Sequence, residues 1–315
     1  MTTSTQPSTQ RKLQLDALAI GLLLACCIFW GWQQVLVKAT LPFIPPVMQV
    51  TLRFALATLV LVLWCRVRRI SLFGSDGTLG AGLLVGVLFA LEFTCLYIGL
   101  VHTSASRLTI FLYTAPFIVA LVLPRFVASE KLKAMQWLGL ACAFVAVAFA
   151  MMDNLAPTSN GTSGTSIKPY GTWLGDGLAL AAGLFWGLTT VVIRASKLGS
   201  IGAEKLLFYQ LAVSTLILLP LSFVLGESWA STLAAVTAFA WASLAVQGLL
   251  GAFASYLAWM WLLGHYPATK LSSFVFLTPV FTLVFSSWWL GEPITTRLVI
   301  ALVLVGAGIV LVNRK

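Results

Sequence analysis

The sequence predicts an all-α membrane protein with ten transmembrane helices arranged as two inverted five-helix repeats, and three observations carry that expectation. Of 315 residues, 60% are hydrophobic and only 9% charged, and the mean hydropathy is +0.98, whereas about a quarter of an ordinary soluble domain is charged. The apolar residues gather into runs of about 17–25, the length a helix needs to cross about 30 Å of hydrocarbon at 1.5 Å per residue. Finally, the second half of the chain repeats landmarks of the first.

In chain order, the polar opening MTTSTQPSTQ and the rest of residues 1–16 are expected to form a disordered cytoplasmic tail. Arg11 and Lys12 then precede a first span at approximately 17–37, whose apolar run continues through Trp30 to Val37 and is too long for a cleaved signal core. Spans at approximately 47–65, 79–100, 105–123 and 134–152 complete a first repeat over 17–152. The stretch 153–171, DNLAPTSNGTSGTSIKPYG, is rich in Ser, Thr, Gly, Asn and Pro and reads as a flexible extracytoplasmic linker. Spans at approximately 172–193, 206–226, 238–262, 270–290 and 296–312 make the second repeat, 172–312, followed by a cytoplasmic tail at 313–315.

A formal net charge of +10 raises the question of nucleic acid. The basic residues, however, lie in short clusters between apolar runs and form no extended basic face, so they read as orientation signals and exclude a nucleic-acid partner. With the N-terminus inside, one side holds Arg11, Lys12, Arg66, Arg68, Arg69, Arg125, Lys131, Lys133, Arg194, Lys197, Lys205, Lys270, Arg314 and Lys315. The other holds Lys38, Arg107, Lys168 and Arg297. Fourteen against four, with Arg53 inside a helix, places both termini in the cytoplasm. Cys26, Cys27, Cys65, Cys95 and Cys142 all sit in apolar stretches without a CxxC or a nearby His, which reads as buried thiols with no metal site.

The halves align at two offsets. At 156 residues, Phe29-Trp30-Gly31 matches Phe185-Trp186-Gly187, and Lys38 falls opposite Arg194. At 163 residues, His102 matches His265, Arg107-Leu108 matches Lys270-Leu271, and Pro116 matches Pro279. Because each half has five spans, the second must cross in the opposite sense, the inverted repeat associated with alternating-access transporters.

The chain resembles the drug/metabolite transporter superfamily, specifically the EamA family of ten-helix carriers. The resemblance rests on the FWG of the first and sixth spans, Arg53-Phe54, the segments YTAPFIVAL and FLTPVFTLV around Pro116 and Pro279, and the glutamates of SEKLK (Glu130) and GEPIT (Glu292). It implies a secondary carrier without an ATPase domain, in a bacterial inner membrane, exporting amino acids or other metabolites.

Ionisable side chains at membrane depth are costly and are functional candidates by default. The sequence offers Arg53 in VMQVTLRFALATL and Glu92 in GAGLLVGVLFALEFTCLYIGL. They lie roughly 9 Å and 12 Å from the outer ends of their spans, so they are able to meet. They are read either as a structural ion pair or as a site in which Glu92 takes a substrate ammonium or a proton and Arg53 a carboxylate. Trp30, Gln33 and Gln34 lie close on the first span, with Trp186 and Thr189 at matching places on the sixth, so this polar and aromatic face is read as cavity lining or as interhelical hydrogen bonding. Tyr113 and Phe276, one turn before Pro116 and Pro279, and Tyr256 and Trp259 complete the candidate substrate-binding set. Pro116 and Pro279 are candidate helix kinks. His102 and His265 fall at turns and read as structural.

The resulting expectation is a secondary transporter that moves a small metabolite, with aromatic or other amphipathic amino acids foremost, by alternating access. Membrane lipid is its surrounding, a proton its candidate coupling ion, and no cofactor or metal is called for. A membrane-embedded enzyme and a channel or scaffold are the alternatives. The first lacks a nucleophile–base pair, an HExxH or a phosphate-binding loop, and the repeat argues against both.

Overall fold

The computed structural model describes residues 16–74, 76–126, 134–151, 172–266, 275 and 277–313. The expected linker at 153–171, the tail before Asp16 and Phe276 lie outside the described residues. Every regular element among them is helical: α1 (Ala17–Thr40), α2 (Pro46–Val67), α3 (Leu79–His102), α4 (Ala105–Leu112), α5 (Ala115–Val122), α6 (Ala134–Met151), α7 (Trp173–Ala195), α8 (Ala203–Val224), α9 (Trp229–Ala235), α10 (Ala238–Val246), α11 (Tyr256–His265), α12 (Leu277–Leu290) and α13 (Thr296–Asn313). Seven stretches among the described residues are long and apolar enough to cross a membrane: α1, α2, α3, Ala105–Arg125, α7, α8 and Ala238–Leu262. Shorter apolar helices lie at Leu277–Leu290 and Thr296–Gly308.

Helix starts follow local chemistry. Asp16 accepts from Ala19 N–H at 2.9 Å, Ser104 from Arg107 N–H at 3.1 Å and Thr172 from Gly175 N–H at 3.0 Å, each satisfying a donor that the first helical turn leaves free. Pro46 opens α2, where a missing N–H costs nothing. Yet Val47 and Met48 still present N–H groups, and both donate to the Glu227 carboxylate, 180 residues away in sequence. Glu292 does the same for α4, accepting from Ala105 N–H at 2.8 Å and from Ser106 N–H at 3.3 Å.

Two expected spans are not continuous α-helix. The fourth breaks at Tyr113-Thr114, just before Pro116, where the Thr114 hydroxyl donates to the Phe111 carbonyl at 2.7 Å. The eighth runs from α10 through a π-helical segment, Gln247–Ser255, into α11. A short helix, α9, also occupies what reads in sequence as a plain connection; its Trp229 indole donates to Ser222 Oγ at 2.8 Å.

Packing is reciprocal between the halves. α1 packs on α12 while α7 packs on α4 and α5; α2 packs on the π segment while α3 packs on α8. The two FWG glycines stand at equivalent places in these contacts. A Cβ at Gly31 would sit 2.7 Å from Phe281 Cβ on α12, and one at Gly187 would sit 2.6 Å from Ile118 Cβ on α5. Only a hydrogen fits either gap, so these helices touch backbone to side-chain root.

The polar connections sort to two ends. At one, Lys205 pairs with Asp76 at 2.7 Å, tying the start of α8 to the α2–α3 loop. Lys205 and Thr78 together hold the Asp76 carboxyl down to about 2. At the other end, Lys38 pairs with Glu292 at 3.3 Å, and Arg107 Nη2 meets Asp176 Oδ2 at 2.6 Å. Asp176 and Arg107 are charged groups at helix ends that the sequence reading did not single out as buried. Both are buried, and Thr103 Oγ1 adds a third donor to Asp176 at 2.9 Å. Their position in the first turns of α7 and α4 lets them meet across the helix ends.

Candidate functional site

Among the described residues, a second buried polar cluster is assembled from α1, α2, α3, the π segment and α11. At its centre is Arg53, 1% exposed. Its Nη1 donates to Tyr97 Oη at 3.0 Å and its Nη2 to Tyr256 Oη at 3.5 Å. With its amide oxygen turned towards α2, Gln33 accepts from both Nη atoms, at 3.0 and 3.1 Å. The guanidinium carbon lies 5.2 Å from the Phe93 ring centre and 5.5 Å from that of Phe54, so aromatic faces supply part of the solvation that water would give. Nε, also buried, has no acceptor.

Neutral amides brace this cation. Tyr97 Oη donates onward to Gln247 Oε1 at 3.0 Å, and Gln49 Nε2 lies 3.3 Å from the same oxygen and 3.3 Å from the Val37 carbonyl. Gln247 Nε2 donates to Ser243 Oγ at 2.9 Å, which in turn lies 2.6 Å from Thr40 Oγ1. A Cβ at Gly251 would come within 2.2 Å of the Gln33 amide, so glycine is what allows α1 and the π segment to close around it.

Glu92 is 5% exposed, and its Oε2 has no hydrogen-bond partner. It lies within electrostatic range of Arg53. No ion pair joins the two among the described residues, because Arg53 commits its Nη atoms to Tyr97, Tyr256 and Gln33 instead. Two ionisable groups of opposite type thus face a low-dielectric interior, where an unsatisfied ionic group is expensive.

An aromatic wall adjoins them. The Trp30 indole donates to Ser255 Oγ at 2.8 Å and packs edge-on against Trp259 at 5.8 Å and Tyr256 at 6.5 Å. Tyr113 and Trp186 form a second edge-on pair at 5.4 Å between the fourth span and α7. Thr189, buried on α7, has an Oγ1 without a partner.

Of the sequence candidates, Trp30, Gln33, Arg53, Tyr256 and Trp259 therefore come together around one centre, with Glu92 beside them, and Tyr113 and Trp186 form a neighbouring pair. Gln34 is half-buried and outside the hydrogen-bond network, since one residue's step turns it about 100° from Gln33. Pro116 stands at the break between α4 and α5; Pro279 is buried in the first turn described for α12. His265 stacks on Trp261 at 4.3 Å with Nδ1 2.8 Å from the Trp261 carbonyl, and the backbone carbonyl of His102 accepts from Thr172 N–H at 3.1 Å. Sequence reasoning missed Gln49, Tyr97 and Gln247. Their only signal is a polar residue inside an apolar run.

A transport family with this architecture is matched directly. The model of the EamA-like transporter family fits residues 17–152 and 173–314. The chain belongs to the EamA-like transporter family. Among curated relatives, the uncharacterized transporter YvbV of Bacillus subtilis (strain 168) is 27% identical over 312 residues, covering 96% of this chain and 94% of the relative. The uncharacterized transporter YoaV of the same organism is 24% identical over 91% of this chain and 94% of its own length. An uncharacterized transporter of Archaeoglobus fulgidus is 26% identical over 93% of this chain and 96% of its own. A crystal structure matches at TM-score 0.62 and 16% identity, covering 94% of this chain and 96% of the other, which speaks for the fold alone. As an EamA-like transporter, the chain is a multi-pass membrane protein with a small-molecule substrate, and a transporter rather than an enzyme.

Proposed function

We propose that this EamA-like transporter is a secondary carrier that exports amino acids, aromatic or otherwise amphipathic, by alternating access between two inverted five-helix repeats. The observation that carries the substrate class is the separation of Arg53 from Glu92 beside an aromatic wall. A zwitterion offers a carboxylate to the guanidinium and an ammonium to Glu92, satisfying both buried charges at once, while an apolar side chain packs on Trp30, Tyr256 and Trp259. Glu92 is also the group we assign to a coupling proton, which competes with the substrate ammonium for the carboxylate.

The repeats, 17–152 and 172–312, are supported by reciprocal packing and by Gly31 and Gly187 meeting Phe281 and Ile118, positions that the 163-residue offset makes equivalent. Two helix sets that pack by the same rules are able to exchange arrangements, which is what alternating access requires. The end holding Asp76 and Lys205 is read as cytoplasmic, the end holding Lys38, Arg107 and Glu292 as extracytoplasmic, both termini as inside, and the membrane as a bacterial inner membrane.

The test is counterflow of radiolabelled L-phenylalanine into proteoliposomes preloaded with the unlabelled amino acid. Wild-type protein accumulates label; Glu92→Gln and Trp259→Ala do not, at equal reconstitution. Absence of L-phenylalanine, L-leucine and L-threonine counterflow by folded wild-type protein would overturn the substrate class.

A further inference from the structure

We propose that Tyr97, braced by Gln247, is a positioning residue that keeps the Arg53 guanidinium out of an ion pair with Glu92, so that both charges stay open to a zwitterionic substrate. The inference deepens the substrate reading above and rests on it for its ligand arm, though not for its stability arm.

The physical problem is why the pair does not collapse. Arg53 and Glu92 project from adjacent helices, α2 and α3, into the same dry interior, where attraction between opposite charges is strong. A direct ion pair would satisfy Glu92 Oε2, which has no partner, and Arg53 Nε, which has none either. Something must hold them apart. Phe93, next to Glu92 on α3, lies 5.2 Å from the guanidinium carbon and orients it without anchoring its N–H groups. Gln33 contacts both Nη atoms but sits on α1 and is held by packing against Gly251. Tyr97 is different. It stands on the same helix as Glu92, five positions further on, accepts from Arg53 Nη1 at 3.0 Å, and is itself fixed because its proton is given to Gln247 Oε1 at 3.0 Å. Gln247 is in turn held by Gln49 and Ser243. The phenol is thus the fixed acceptor on α3 itself that competes with Glu92 for Arg53, and its orientation is set by a chain of neutral amides rather than by a charge.

Replacing Tyr97 by Phe removes the acceptor and keeps the ring. Arg53 is then released towards Glu92, and the site closes on itself. Two measurements follow on purified protein. In ligand-free protein, a thermal-unfolding cycle combines Tyr97→Phe with Glu92→Gln. Because Glu92 Oε2 accepts no hydrogen bond in the wild type, Glu92→Gln shifts the midpoint less there than in the Tyr97→Phe background, where the pair has formed. Additive shifts would overturn the proposal whether or not any amino acid binds. In the ligand arm, equilibrium binding of L-phenylalanine weakens about tenfold in Tyr97→Phe, while 3-phenylpropanamide, which carries neither carboxylate nor ammonium and has only the aromatic wall to bind, changes by less than about twofold. A general loss of fold would weaken both ligands alike, and equal weakening counts against positioning. Gln247→Met, which takes away the brace but leaves Tyr97 and Arg53 in place, gives the same selective loss, and is the variant to use should Tyr97→Phe express poorly. If wild-type protein fails to bind L-phenylalanine, the substrate class falls, and the unfolding cycle alone decides on Tyr97.

Discussion

Asp176→Ala is expected to destabilise this transporter more than any exposed charge deletion. Asp176 is fully buried and accepts from Arg107 Nη2 at 2.6 Å, Arg107 Nε at 3.3 Å and Thr103 Oγ1 at 2.9 Å. Removing it leaves the Arg107 guanidinium in a helix whose eight residues are all buried. Stripping one partner from such a pair costs about 3–5 kcal/mol, of which stacking on Phe111, 5.8 Å from the guanidinium, recovers about 0.5–1 kcal/mol. At roughly 2–4 °C per kcal/mol, the unfolding midpoint falls by about 4–18 °C. Cys26 and Cys65 are buried thiols, so a fluorogenic maleimide in detergent reads the transition directly. The double variant Asp176→Leu with Arg107→Met should regain most of the loss, because replacing both ends of a buried pair by apolar groups is often tolerated. A single-variant cost within about 1 kcal/mol, the range of a solvated pair, or a double variant as unstable as the sum of its parts, would refute the argument.

Two further outcomes are expected. Glu227→Ala strips the acceptor from the Val47 and Met48 N–H groups and from Ser222 Oγ; loss of an N-terminal cap of this kind costs about 0.5–2 kcal/mol, and amide exchange at residues 47 and 48 should rise while that in the middle of α2 does not. Gly86→Ala places a Cβ 2.4 Å from Val213 Cβ and should cost about 1–3 kcal/mol through overpacking, whereas Gly21→Ala, inside α1 with nothing within 4 Å, should raise the unfolding midpoint slightly, because alanine favours a helix interior by about 0.5–1 kcal/mol.

The sequence by itself determined the membrane class, because runs of apolar residues this long have no aqueous solution, and it determined most helix positions, because their limits are set by local composition. It also singled out Arg53 and Glu92, since a charge within an apolar run needs no neighbours to be noticed. Tertiary structure decided what those charges do. Arg53 finds Tyr97 44 residues away and Tyr256 203 residues away, and Tyr97 is fixed by Gln247 across 150. Such partners depend on the rotation of each helix about its axis. In a soluble helix an amphipathic stripe records that rotation, but a helix that is apolar all round carries no stripe. For this reason Gln33 and Gln34 looked alike in sequence, and packing against Gly251 and α2 placed only Gln33 on the guanidinium. The same reason hid Asp176 and Arg107. Each stands in the first turn of its helix, where sequence reads a solvated end, and only the meeting of α4 with α7 turned two ends into a buried pair.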